Sequence, residues 1–247
     1  MEETGENKMQ LIVHIGLGEP LVLPINYNHI VQSIIYNALG SMPEYADFLH
    51  NEGYSRDKRQ YRMFQFSQLS GDYEIQERKI IFKSYVTFEI RSPEPLLIRL
   101  LGEHLWNHGI RFGTVICEDI QMELYDYTVE ETSLRIRMKS PMTVYSTDYE
   151  NGIYYYNPEE EEFYHRLNEN FLRKYQAYYG VSPIAMIDIK KIGDKVPKKF
   201  VTRYQGSYIT AWYGQYQISG KRKYLDFLYQ VGLGSKNSQG FGMFEIL

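Results

Sequence analysis

An α+β fold made of two tandem βαββαβ units is what this 247-residue sequence predicts. The first observation behind that expectation is a strand-helix-strand-strand-helix-strand order that can be read twice, from shifts of the hydrophobic period between about 2 and about 3.6. The second is length, which allows two modules near the lower end of the usual domain size. The third is the C-terminus, where a glycine-bracketed loop runs straight into a short apolar strand and leaves no residues for another helix. Each repeat corresponds to the ferredoxin-like, RRM-like unit. The expected domains are residues 9–126 and 131–247, joined near Asp126 to Glu131.

In the first unit, Gln10 to Leu17 is rich in β-branched residues and reads as a strand. His29 to Leu39 places Ile30, Val31, Ile34, Ile35, Ala38 and Leu39 on one face and reads as a helix, leaving His29, Ser33 and Tyr36 on the other side. Arg62 to Leu69 and Lys79 to Ile90 are expected as strands, Glu94 to Asn107 as a helix, and Gly113 to Leu124 as the fourth strand. The second unit opens with a strand at Ser133 to Met138, followed by Thr143 to Ser146 and the tyrosine-rich Ile153 to Asn157. A helix is expected over Glu159 to Tyr178, strands over Ile184 to Ile192 and Ser207 to Ser219, and a helix over Lys221 to Gln230, before the last strand from Phe241.

With 43% hydrophobic and 23% charged residues the composition is that of a soluble globular protein. The single cysteine, Cys117, excludes an internal disulfide and a cysteine-based metal cluster, which suits a reducing cytoplasm. Met1 to Lys8 is polar and acidic, unlike a secretory signal, and is expected to be disordered, with Met9 opening the fold. No apolar run approaches a membrane span. A net charge of −4 argues against a nucleic-acid partner. The bases are clustered, however: Arg56, Lys58, Arg59 and Arg62; then Lys190, Lys191, Lys195, Lys198, Lys199 and Arg203; then Lys221, Arg222 and Lys223. Binding responds to the local field of a cleft more than to the total charge.

Between Val231 and Leu247, two Gly-x-Gly pairs, Gly232/Gly234 and Gly240/Gly242, flank Ser235, Lys236, Asn237, Ser238 and Gln239. Phosphate loops of the Walker and dinucleotide types open a helix whose N-terminus holds the anion. No helix can follow here. The loop offers instead little side-chain bulk, backbone N–H groups, polar donors and the point charge of Lys236.

This C-terminal pattern resembles the glycine-rich signature of the RAMP superfamily of CRISPR-associated proteins. Further matches follow in the family's order: Tyr27-Asn28-His29, Gln32 through Leu39, Phe48-Leu49-His50, Phe64-Gln65-Phe66-Ser67, and the mid-chain Ser140-Pro141-Met142-Thr143-Val144. Within the superfamily the chain is similar to the sixth numbered Cas family, the endoribonucleases that cut CRISPR precursor RNA within each repeat to give mature crRNA for antiviral defence. The resemblance implies two ferredoxin-like domains. It also implies metal-independent attack of a ribose 2′-hydroxyl, giving a 2′,3′-cyclic phosphate and a 5′-hydroxyl end, with no cofactor. CRISPR repeat RNA is the implied partner; association with a CRISPR effector complex or with a second copy of the chain stays open.

Carried onto this sequence, the resemblance makes Tyr36 the group that assists at the 2′-hydroxyl and His50 the donor of the leaving-group proton. A tyrosine of ordinary pKa is a poor base at neutral pH, so orientation of the nucleophile is the alternative role. His50 is expected near the end of a short helix, Glu44 to His50, where the helix dipole favours the imidazolium. The family's third position is a lysine. Counting back from Phe64 puts Arg62 there, and Lys58 in the preceding loop, Tyr54 to Gln60, is the alternative. His29, two turns before Tyr36, is in reserve. The expected RNA contacts are Gly232, Gly234, Ser235, Lys236, Asn237, Ser238, Gly240 and Gly242, together with the basic segment Lys190 to Arg203, read as a hairpin in the second unit.

His104 and His108 stand one helical turn apart without an evident third ligand, so no metal site is expected. His14 reads as a packed strand residue and His165 as a solvated one. Two other functions compete: an RAMP protein that binds RNA without cutting it or serves as a structural subunit of a larger CRISPR ribonucleoprotein, and a ferredoxin-like protein with a small-molecule effector.

Overall fold

The computed structural model of the protein describes residues 9–148, 152–193, 196–204 and 206–247. The expectation of disorder before Met9 falls outside the described residues, as does Lys195. Two four-stranded antiparallel sheets organise the chain. The first is built from β1 (Met9–Gly16), β2 (Gln65–Phe66), β3 (Tyr85–Ser92) and β4 (Ile120–Asp126), in the order β4-β1-β3-β2. The second is built from β5 (Ser133–Met138), β6 (Asp188–Lys191), β7 (Gln215–Ser219) and β8 (Phe244–Ile246), in the order β6-β7-β5-β8. Counted within each half, both sheets read 4-1-3-2, once from either edge. A helix follows the first and the third strand of each sheet: α1 (Asn28–Ala38) and α2 (Pro95–His108), then α3 (Glu161–Tyr179) and α4 (Arg222–Val231).

The alternation along β1 explains how the first sheet gains its core. Leu11, Val13 and Ile15 point to one face, and their register partners Ile90, Phe88 and Val86 meet them there, under Val31, Ile35, Leu97 and Leu101 of the two helices. The opposite face of β3 carries Glu89 and Arg91, both buried. The guanidinium of Arg91 lies 3.7 Å over the Tyr229 ring of α4 and donates to Phe244 O at 2.8 Å. Glu89 accepts hydrogen bonds from Arg91 Nε and from Lys139 Nζ. The polar face of the first sheet is thereby seated on the helix and last strand of the second, and the buried charges are paired.

Several expected strands are broken. Lys79 to Ile90 divides at Lys83 and Ser84. Lys79–Phe82 joins a separate three-stranded sheet with Leu21–Pro24 and Tyr73–Gln76, and only Tyr85–Ser92 enters the main sheet. Period 2 continues through the break, so the pattern alone cannot reveal that the chain changes sheets. Ser207 to Ser219 divides at Tyr213 and Gly214, and its first part pairs with Lys199–Tyr204 as a hairpin outside the main sheet, tied to the chain at Met142 by two backbone bonds with Trp212. Gly113 to Leu124 begins as the hairpin Ile110–Phe112 and Val115–Cys117, turned at Gly113, before β4 starts. In the predicted strand Arg62 to Leu69 only Gln65–Phe66 pairs, and in Ile184 to Ile192 only Asp188–Lys191. His14, expected to be packed, lies on the open face of β1 with its side chain 41% exposed, between Thr87 and Glu123. No helix among the described residues is long and apolar enough to cross a membrane.

Candidate active site

A cavity of about 780 Å³ opens between the two halves. Its walls come from α1, the segment after it, and the loop between α4 and β8. The helix α1 buries Val31, Ile34, Ile35 and Ala38 and turns Asn28, Gln32 and Tyr36, spaced by four, toward the second half. Gln32 Nε2 donates to Ser238 O at 2.7 Å and Asn28 Nδ2 to Gln239 O at 2.8 Å, so the first domain helix grips the glycine loop directly. Tyr36 is the next rung of that ladder. Its ring stands edge-on to His50, with centroids 5.3 Å apart, and edge-on to Phe64. Burial raises the Tyr36 phenol above its ordinary value, and the neighbouring Arg62 guanidinium opposes that rise without cancelling it.

The helix expected over Glu44 to His50 is shorter and changes type. It is α-helical over Pro43–Asp47 and continues as a π-turn over Phe48–Glu52, closed by Gly53 N–H to Phe48 O at 2.6 Å. Such wide turns concentrate at functional positions. His50 therefore projects from the π-turn and lines the cavity. Its Nδ1 bonds Asn51 Oδ1 at 2.8 Å, while Asn51 Nδ2 donates to Asp47 Oδ1 at 2.5 Å. Because the amide nitrogen of Asn51 is engaged by a carboxylate, its oxygen faces the imidazole. His50 Nδ1 is thus the donor, and Nε2 is left for a second partner.

The loop expected over Tyr54 to Gln60 is a β-hairpin, Tyr54–Arg56 paired with Arg59–Tyr61, turned by Asp57 and Lys58 at φ 48° and 63°. Two-residue turns with both φ positive usually advertise themselves by Asn-Gly or Asp-Gly, and Asp57-Lys58 is neither. Lys58 sits at the tip and Arg62 at the base, and both line the cavity. Arg62 donates to His50 O at 2.6 Å, which straps the hairpin to the π-turn. Gly53 allows the strap: at φ 60° a Cβ there would lie 2.6 Å from the Arg62 guanidinium.

In the glycine loop, Ser235, Lys236, Asn237, Ser238 and Gln239 face the cavity along with Gly234. Gly232, Gly240 and Gly242 are buried behind them. A Cβ on Gly242, at φ 82°, would meet Leu233 O at 2.0 Å, so the glycines serve close backbone packing and the polar centre of the loop does the presenting. Lys236 reaches over the Tyr145 ring at 5.1 Å.

Among the cavity's lining residues are five bases, Lys58, Arg59, Arg62, Lys174 and Lys236, and no Asp or Glu. A chain of net charge −4 thus concentrates positive charge in one cleft. The basic segment of the second half is not part of that lining. Lys190 and Lys191 are paired with Asp188 and Glu159 at 2.8 and 2.6 Å. Lys198, Lys199 and Arg203 are exposed on the hairpin Lys199–Tyr204, whose last residue, Tyr204, does line the cavity and bonds Gln32 Oε1. His29 is exposed, bonds Asn26 O at 2.9 Å and does not reach the cavity. His104 and His108 have ring centroids 4.9 Å apart. No group of three or more metal-ligating side chains gathers among the described residues.

Sequence reasoning missed Asn28, Gln32, Asn170, Lys174 and Tyr204. A signal existed for four of them: Asn28, Gln32 and Tyr36 recur every four residues, and Asn170 and Lys174 interrupt the apolar stripe Phe163, Leu167, Phe171 of α3.

Residues 124–246 match the family described as CRISPR associated protein Cas6, C-terminal. The chain is 26% identical over 235 residues to the CRISPR-associated endoribonuclease Cas6 of Pyrococcus furiosus, covering 91% of this chain and 83% of the relative. It is 26% identical over 233 residues to the CRISPR-associated endoribonuclease Cas6 1 of Methanocaldococcus jannaschii, covering 90% and 86%. A solved structure of a Cas6-related gene product from Pyrococcus furiosus superposes with a TM-score of 0.81 at 23% identity, over 97% of this chain and 98% of that one, and so shares its fold.

Proposed function

The chain belongs through its C-terminal half to the Cas6 family of CRISPR-associated proteins, and from that premise we propose that it is an endoribonuclease that binds CRISPR repeat RNA in the cleft between its two halves and cuts it there. The observation that carries the proposal is the cleft's charge: five bases, no carboxylate, and a tyrosine and a histidine in ring contact within it. The domains are residues 9–126 and 131–247, each read as a ferredoxin-like unit on the strength of the shared 4-1-3-2 strand order.

In the proposed reaction the ribose 2′-oxygen attacks the adjacent phosphorus, the bond from phosphorus to the 5′-oxygen breaks, and a 2′,3′-cyclic phosphate remains. Solvent takes the 2′-hydroxyl proton. Tyr36, a phenol that burial makes a still weaker acid than usual, orients that hydroxyl instead of removing its proton. The imidazolium form of His50, its Nδ1–H held by Asn51, gives its Nε2 proton to the departing 5′-oxygen. Arg62 faces the charge that develops on phosphorus, in the place the family gives to lysine. Lys236, Ser235, Asn237 and Ser238 hold the RNA backbone, and the exposed Lys198, Lys199 and Arg203 extend the track beyond the cleft.

The test is product analysis on a repeat RNA in excess chelator. Cleavage that continues and leaves a cyclic phosphate and a 5′-hydroxyl is the expected result. Activity that disappears with chelator, returns with magnesium and yields a 5′-phosphate overturns the mechanism. Tight binding with no cleavage replaces it with the binding-protein reading.

A further inference from the structure

Lys174 is the most unusual charge in the molecule. It sits on the inner face of α3, among Phe163, Leu167, Phe171 and Tyr175, with 3% of its surface exposed. A lysine so placed is usually matched by a carboxylate, because an isolated ammonium in an apolar interior is costly. No carboxylate pairs with it among the described residues. Its Nζ meets three neutral oxygens instead: Gly232 O at 2.6 Å, Asn237 Oδ1 at 3.0 Å and Gly234 O at 3.2 Å. All three belong to the glycine loop. Gly232 closes the C-terminus of α4, where a cation is favoured. Asn237 is itself the loop's brace, its Nδ2 donating to Leu233 O and Phe241 O, both at 3.0 Å.

One turn earlier on the same face lies Asn170, 6% exposed and lining the cavity. It makes a single contact, Nδ2 to Ser235 Oγ at 3.4 Å, and its Oδ1 has no partner. Since the serine hydroxyl can donate or accept, turning the amide over would leave the other end unpaired. The floor under the loop therefore holds an uncompensated positive charge and an unfilled hydrogen-bonding position, both buried beside the cleft. A floor built for packing alone would be apolar there.

We infer that Lys174 is the positioning residue of the glycine loop: it pins Gly232, Gly234 and Asn237 from beneath, so that Ser235 to Ser238 meet an RNA phosphate, and its charge backs the anion from inside the protein. Three N–H groups on three loop oxygens fix the loop's shape before RNA arrives, which lowers the ordering cost of binding. The inference rests on the proposed RNA-binding reading of the cleft, and the experiment separates the two.

Wild-type protein, Lys174→Met, Lys174→Arg and Lys174→Gln are compared for thermal unfolding and then for affinity at pH 6, where the buried lysine is protonated, across a salt series, toward a repeat RNA whose 2′-hydroxyl at the scissile position is removed so that it cannot be cut. Lys174→Met is expected to bind about tenfold or more weakly and to lower the salt slope by about 0.7, the value of one phosphate neutralised on a single strand. Lys174→Arg, which keeps the charge, is expected to recover the slope even where affinity stays reduced. On cleavable RNA the single-turnover rate at saturation should change less than the affinity does. Wild-type protein that does not bind the RNA overturns the functional reading and this inference with it. Wild-type binding that Lys174→Met preserves in affinity and slope overturns this inference alone. If Lys174→Met does not fold, Lys174→Gln decides, since its amide can still donate to a loop oxygen but carries no charge: weaker binding with the salt slope lowered by about 0.7 supports the inference, and wild-type affinity and slope remove it.

Discussion

The guanidinium of Arg62 donates to the main-chain oxygen of His50 at 2.6 Å, so the base at the foot of the hairpin also fixes the backbone of the proposed general acid. Lys58, the other candidate for the third catalytic position, is at the hairpin tip, exposed and free of that constraint. The two bases should separate in assay. Arg62→Ala is expected to slow single-turnover cleavage at saturating RNA by about a hundredfold or more, the scale of losing one transition-state donor. Arg62→Lys should recover only part, since an ammonium cannot span the same acceptors as a planar fork. Lys58→Ala should weaken RNA binding with little change in the saturated rate. The reverse pattern, a large rate loss at Lys58 and none at Arg62, would move the role to the hairpin tip.

His50 carries the sharper prediction. With Nδ1 held by Asn51 and Nε2 free, removing the imidazole should cost about a hundredfold or more in the chemical step, as for other general acids, while RNA affinity stays near that of wild type. Tyr36→Phe keeps the ring against His50 and Phe64 and loses only the hydroxyl, so its loss should be smaller. His29→Ala should cut at the wild-type rate, since that side chain is exposed and outside the cleft. His50→Ala cleaving at the wild-type rate would remove the catalytic assignment altogether.

The order of the main elements was legible because the four long helices are amphipathic and the central strands β1, β3, β5 and β7 place core residues at alternating positions. Where the reading missed, the cause lies in particular turns. Glu77 and Arg78, at φ 45° and 66°, turn a hairpin without glycine, so the strand Tyr73–Gln76 went unread, and period 2 runs through Lys83 and Ser84, so Lys79–Phe82 looked continuous with the next strand. Asp57 and Lys58 hid a second hairpin in the same way. The site was half legible. Tyr36, His50, Arg62 and the loop 234–238 were found from motif matches and meet in one cleft. Lys174 could not be paired with that loop from sequence, because the two are about sixty positions apart and two of the lysine's three partners are backbone oxygens, which leave no residue-specific trace.

The basic segment of the second half is divided by its own ion pairs. Lys190 and Lys191 already have carboxylate partners, whereas Lys198 and Lys199 stand exposed near a hairpin whose far end enters the cleft at Tyr204. Reversing Lys198 and Lys199 to Glu should weaken binding of the repeat RNA and flatten its salt dependence, because counterion release follows the phosphates neutralised. Reversing Lys190 and Lys191 should leave the slope unchanged. Lys236→Ala, within the cleft, should lower it by about 0.7 for a single-strand phosphate. An unchanged slope in the Lys198, Lys199 variant would confine the RNA track to the cleft.

The burial of Lys174 should also be visible in stability against pH. In the unfolded chain this lysine titrates near 10.5; in the folded protein, burial pulls it down to about 7. Between those values the unfolded state holds a proton that the folded state has released, so unfolding takes up a proton and stability rises with pH. Below pH 7 both states are protonated, and the cost of burying the charge is present in full. Lys174 should therefore add up to about 1.4 kcal/mol of stability per pH unit above pH 7. The three loop oxygens around Nζ favour the ammonium and would shift the start of that rise upward. Urea midpoints at pH 7, 8 and 9 measure it. Subtracting the profile of Lys174→Met from that of wild type cancels the other titrating groups, and the difference should slope upward across this range. A difference that stays flat from pH 7 to 9 would mean that the ammonium remains charged in the folded protein throughout, held by the carbonyl oxygens of Gly232 and Gly234 more strongly than burial opposes it.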